Sequence, residues 1–223
     1  MPRGRRPSAV RDKWKSKKWY TVYAPKYFGF AEIGETPASS PDKLIGRVIE
    51  TTLYNLTNDF SQAHILLYFQ IVDVKGEKAY TVFKGHTLLR DYLRSLIRRG
   101  TTYVDGIFKV TTKDNHVLRV YSSAFTRYRI KTSREKDIRK VMSEIIHNKA
   151  KELTFEQFVQ EAVLGKIASE IYNKAKVIAP IRRCEIRKTK VLYIPPEVLS
   201  TAAPEIKTVA QKEQSEKAET VSK

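Results

Sequence analysis

The chain has 223 residues, with 42 Lys and Arg against 24 Asp and Glu, a formal net charge of +18 and a pI near 9.9. With 41% hydrophobic and 10% aromatic residues it can bury a core, which excludes a wholly disordered basic tail. Its length suits one domain with tails better than two full domains, and a charge so far from zero points to a polyanionic partner.

The charge is unevenly spread. Residues 1–20 hold eight basic and one acidic side chain, residues 119–140 eight and two, and residues 174–190 seven and one. The remaining 164 residues are close to neutral. That pattern describes a neutral globule with three basic stretches.

Taken in order, the chain opens on a basic arm, residues 1–20, containing Arg3, Arg5, Arg6, Arg11 and Lys13. No apolar segment of a secretory signal follows it. A single cysteine, Cys184, and no run of about 18 apolar residues add the expectation of a reducing, cytoplasmic setting without a membrane partner. In the run Trp14-Lys15-Ser16-Lys17-Lys18-Trp19-Tyr20, rings alternate with ammonium groups, so bases could stack while phosphates are neutralised. Trp19 could equally anchor the arm to the protein's own core.

Residues 21–199 read as one α+β domain. Val, Ile, Thr, Tyr and Phe dominate from 43 to 84, and strands are expected at 44–56, 64–74 and 79–83, with a turn at Lys75-Gly76-Glu77-Lys78. Leu88, Leu89, Tyr92, Leu93, Leu96 and Ile97 recur at helical spacing, which predicts a helix over 87–99 capped by Gly100. A hairpin follows, 103–111 and 117–125, about Lys113-Asp114-Asn115.

Thr132 with Glu135, and Thr154 with Gln157, have the spacing of capping boxes and open two helices, the second stopped near Gly165. A short helix at 167–174 and a last strand at 181–194 complete the domain. Residues 200–223 read as a disordered tail, since from Glu197 onward five acids, four bases and no aromatic residue remain. Without regular βα alternation, the expected fold is α+β, a mainly antiparallel curled sheet or barrel with flanking helices.

Signatures of catalysis are absent. No phosphate-loop, dinucleotide or hydrolase motif occurs, and the four histidines have no metal-binding spacing, so neither a cofactor nor a metal is expected. Cys184 lies among Arg182, Arg183 and Arg187, which could activate its thiol, but a small apolar strand residue is the simpler reading. What remains is cationic ribbons. Arg127, Arg129 and Lys131 alternate beside Phe125 and Tyr128, with Arg134 just beyond, and would share one side of an extended segment. Arg182, Arg183, Arg187, Lys188 and Lys190 form another, with Glu185 as its one acid.

Several motifs together resemble a known family. Asp12-Lys13-Trp14, Lys18-Trp19-Tyr20 leading to Ala24-Pro25 and Phe28, Gly46-Arg47-Val48 with Asn58-Asp59, and Lys84-Gly85-His86 through Leu89-Arg90-Asp91 are four of them. The hairpin at 105–118 and the segment from Arg139 to Ile145 are two more. Their order resembles the archaeal and eukaryotic small-subunit ribosomal protein family S-one-e, called S-three-a in eukaryotes, with the short ends of an archaeal member. The resemblance implies a non-enzymatic structural protein on the platform of the small ribosomal subunit near the mRNA exit. Its expected partners are small-subunit rRNA and neighbouring ribosomal proteins, with mRNA near the exit a further candidate. An RNA-modifying or RNA-processing enzyme, or a peripheral protein drawn to anionic lipid, stands as an alternative.

Overall fold

The structure, a computed structural model, describes residues 14–195. Among these, the order of strands and α-helices is β1 (Lys18–Tyr23), β2 (Glu32–Ala38), β3 (Val48–Thr52), α1 (Tyr54–Thr57), β4 (Ile65–Lys75), β5 (Lys78–Leu88), α2 (Arg90–Leu96), β6 (Tyr103–Thr111), β7 (Val117–Thr126), α3 (Thr132–Glu152), α4 (Phe155–Val163), α5 (Lys166–Ala175) and β8 (Ile181–Tyr193). The eight strands form one mixed sheet whose main path is β2-β1-β5-β8-β7-β6. β4 pairs with the other side of β5 and carries β3. All pairings are antiparallel except that of β1 with the start of β5. Among the described residues the sheet curls without closing, so it is not a barrel.

Alternation explains which face is sealed. Val104, Val110, Leu118, Val120, Ile186 and Val191 point inward and join Ile138, Met142, Ile145 and Ile146 of α3, with Phe155, Phe158, Ile167 and Ile171 of α4 and α5. Helix α3 lies against β6, and α5 against β8. Phe69, Phe83 and Phe158 are at most 1% exposed, and truncating any one to Ala costs about 3–5 kcal/mol. The helices thus occupy one face; the opposite face is open where Ile107, Lys109, Arg119, Lys188 and Lys190 are exposed on β6, β7 and β8, and covered over β5, whose residues 79–83 are buried without a break.

Several elements differ from the sequence expectation, each for a local reason. β1 begins at Lys18, inside the expected arm, because Tyr20 and Val22 bury under β2 with Leu44 and Ile71. The strand expected at 44–56 shrinks to β3, since Gly46 takes φ +85° before it and α1 begins at Tyr54. β5 runs on to Leu88, because Thr87 pairs with both Leu66 and Lys188, and α2 is left with Arg90–Leu96. The C-cap is extended Ile97, not Gly100. Thr132 makes no capping box: Lys131 is the N-cap, and the Glu135 carboxylate pairs with Arg139 at 3.6 Å. The second box, Thr154 with Gln157, is present.

Candidate nucleic-acid interface

The solvent face of the sheet is built by register. Lys109 on β6 stands opposite Arg119 on β7, which stands opposite Lys190 on β8; the row continues through Gly85 on β5 and Tyr68 on β4 to Glu50 on β3. Directly opposed residues share a face, and neighbouring strands lie about 4.8 Å apart, so three cations line up across three strands. The next outward row sets Ile107 beside Tyr121 and Lys188. Lys109, Arg119, Lys188 and Lys190 are exposed and make no ion pair or hydrogen bond among the described residues. Opposed like charges repel, so this row is a cost to the isolated fold that a phosphate chain would relieve.

Gly85 permits the close approach of β8 at this point. A Cβ there would collide with the Thr189 carbonyl oxygen. Arg187 is held over the Tyr121 ring, 5.7 Å from its centroid, and donates to the Tyr103 hydroxyl at 3.2 Å. It thereby links the two outward tyrosines of the hairpin.

A second group of cations sits where β6 starts and β7 ends. The Thr126 amide donates to the Thr102 carbonyl, the Arg127 amide to the Pro180 carbonyl at 2.8 Å, and the Ile130 amide to the Thr102 hydroxyl at 3.0 Å. Arg182 donates to the Leu96 carbonyl. These bonds bring residues 127–131, the start of β8 and the turn holding Arg98 and Arg99 to one end of the sheet. Arg127, Tyr128, Arg129, Lys131 and Arg134 are all exposed. Their side of the molecule follows from a bent connection, not from the strand alternation expected of 127–131, because the chain leaves the sheet at Thr126.

The β8 ribbon divides by role. Arg182 is tied to Leu96, and Arg183 pairs with Glu185 at 2.7 Å while lying over Tyr92. Lys188 and Lys190 face solvent.

At the start of β1, Trp14 and Trp19 are 58% and 55% exposed and meet edge to face at 6.3 Å, with the Lys17 ammonium 4.3 Å over Trp14. Of Trp19's two readings, the core anchor is thereby removed; buried Tyr20 performs that task. Lys15, Lys17 and Lys18 are exposed. Lys43 and Arg47 border the same hollow as Lys17. Arg3, Arg5, Arg6, Arg11 and Lys13 lie outside the described residues.

Sequence reasoning did not bring Lys109, Arg119, Lys43 and Arg47 into these cation groups. Lys109 stands outside all three basic stretches, and only strand register brings it to the row.

The titratable groups inside the fold serve packing. His86 lies within β5; its ring contacts the Thr189 hydroxyl at 2.8 Å and the Ile186 carbonyl at 3.1 Å, and burial lowers its pKa to about 4. His64 stacks on Tyr92 at 3.9 Å. Burial pushes the Cys184 thiol up to about 12 despite its arginine neighbours, so it is a protonated, unreactive strand residue. Among the described residues no cluster of His, Cys, Asp or Glu is able to hold a metal, and no helix is long and apolar enough to cross a membrane.

Among the described residues, one side of the sheet is sealed by helices and the other carries unpaired cations beside tyrosines, a pattern that suits a polyanionic partner. The model of the ribosomal S3Ae family matches residues 5–195. The chain is 56% identical over 188 residues to small ribosomal subunit protein eS1 of Desulfurococcus amylolyticus, an alignment covering 84% of this chain and 88% of that protein. It is 53% identical to the protein of the same name from Staphylothermus marinus (87% and 92% covered), and 52% to that from Saccharolobus islandicus (83% and 89%). The chain belongs to the ribosomal S3Ae family.

Proposed function

We propose that this protein is a structural constituent of the small ribosomal subunit in the cytoplasm, held there by small-subunit rRNA and neighbouring ribosomal proteins. It performs no reaction. The observation that carries the reading beyond family membership is the unpaired row Lys109, Arg119 and Lys190, extended by Lys188 and by the cations of residues 127–134. Each phosphate that meets one of these side chains releases condensed counterions, which makes binding strong at low salt and steeply salt-dependent. Arg3, Arg5, Arg6, Arg11, Lys13, Lys15, Lys17 and Lys18, with Trp14 and Trp19, extend the contact from the start of the chain.

The finer placement, on the platform near the mRNA exit with mRNA as a passing contact, rests on the family resemblance. The alternative of an RNA-modifying or RNA-processing enzyme finds no support in the family. Sedimentation of a cell extract at low salt tests the reading: the protein travels with the small subunit, and its absence from that fraction would overturn the proposal.

A further inference from the structure

Beside the start of β1 a hollow of about 420 Å³ opens between Lys17 and the connection that joins β2 to β3. Lys17, Lys43 and Arg47 line it with Ser39, and no carboxylate stands among its described lining residues. The connection is fixed from below. Leu44 is buried with Tyr20, Val22 and Ile71, the Gly46 amide donates to the Ile71 carbonyl at 2.8 Å, and the Ile71 amide donates to the Arg47 carbonyl at 2.8 Å. The side chains are held as well: Arg47 donates to the Thr36 hydroxyl and to the Pro37 carbonyl at 3.3 Å, and the Lys43 ammonium donates to the Ser39 hydroxyl at 2.9 Å. All of these partners are neutral. The charges are thus positioned without being compensated, and like charges gathered on a fixed frame repel one another until an anion enters.

Lys17 also connects the hollow to a stacking surface. Its ammonium lies over Trp14, whose ring meets Trp19 edge to face. Both indoles are more than half exposed. Aromatic surface left in water is a cost that a flat apolar partner removes. A phosphate subsite with indoles next to it matches one stretch of an unpaired strand, its backbone in the hollow and a base on the rings. A duplex keeps its bases stacked on one another and offers only its phosphates. A run of carboxylates answers the cations and brings nothing flat to the rings.

We propose that this hollow is a subsite for unpaired RNA, holding a backbone phosphate among Lys17, Lys43 and Arg47 while an adjacent base stacks on the indole pair of Trp14 and Trp19. It rests on the RNA-binding reading above and adds a preference for single strands that the cation row of β6, β7 and β8 does not supply.

Trp14 and Trp19 are the two tryptophans of the chain, so indole fluorescence reports this subsite and no other. The full-length protein is titrated at low salt with a labelled oligouridylate, alone or paired with oligoadenylate, and indole emission is read together with the anisotropy of the label. The single strand binds and quenches the indoles, whereas the duplex binds with little change in emission. Combining Lys43→Gln with Arg47→Gln weakens the quenching titration several-fold and flattens its salt slope by about 0.7 for one lost phosphate contact. Equal quenching by strand and duplex in the unaltered protein overturns the proposal without reference to any variant. So does a polyglutamate that quenches where the oligouridylate does not. Binding seen in anisotropy with indole emission unchanged also overturns it, and leaves the broader RNA reading standing.

Discussion

Replacing Lys109, Arg119 and Lys190 together by Gln separates binding from folding. All three are exposed, and no acid among the described residues neutralises them. If each meets one phosphate, the slope of log K against log salt flattens by about 0.7 to 0.9 per contact, and so by about 2 to 3 for the row. Raising salt from about 50 to about 200 mM then costs the unaltered protein roughly 20- to 40-fold more affinity than it costs the variant. The same change removes two opposed like-charge pairs, each unfavourable by about 0.2–1 kcal/mol, so Tm stays level or rises by a few degrees. Fluorescence anisotropy against a small-subunit rRNA transcript across a salt series, with a thermal melt of each protein, reads both quantities. A folded variant with an unaltered salt slope would refute the assignment of this face to RNA.

Three further outcomes follow from the same geometry. Converting Arg127, Arg129 and Lys131 to Ala flattens the salt slope by a further 2 to 3 or so, and an unchanged slope would mean these side chains touch no phosphate. His86 is neutral when folded down to about pH 4, whereas the unfolded imidazole takes up a proton below its ordinary 6.5. Its contribution is therefore complete above pH 6.5 and is lost, up to about 3 kcal/mol, as the pH falls toward 4. Thermal melts show His86→Gln with a flatter profile in that window, and parallel profiles would contradict the burial. Cys184, its thiol pushed up to about 12, resists iodoacetamide until the protein is denatured, and Cys184→Ser keeps its RNA affinity while losing about 1–3 kcal/mol of stability. Rapid labelling of the native protein, or lost RNA binding in the variant, would contradict that reading.

The sequence was most legible where local chemistry and tertiary pairing agree. The β6–β7 hairpin shows in its alternation and in Lys113-Asp114-Asn115, where Asn115 takes φ +58°. The box of Thr154 and Gln157 sets α4 because nothing competes for either side chain. Where tertiary partners compete, local signals mislead: Glu135 is drawn to Arg139, and Thr87 to the strands on both sides. β2 was hidden by Gly34 and Pro37, which an edge strand tolerates because one side of its ladder is unpaired. The site was legible as charge and not as geometry. Runs such as 182–190 stand out, but the row of Lys109, Arg119 and Lys190 joins residues that only strand pairing brings together. Nor does a run of arginines show which are engaged: Arg182 and Arg183 hold the fold, while Lys188 and Lys190 face outward.

The central claim is that this chain joins the small subunit with its open sheet face against RNA. Lysine acetylation, read by mass spectrometry on the free protein and on the assembled subunit, tests it directly. The account predicts that Lys109, Lys188 and Lys190 react readily in the free protein and are protected in the subunit. Equal reactivity of these three lysines in both states, with protection falling instead on Lys166 and Lys174 of the helical face, would contradict it.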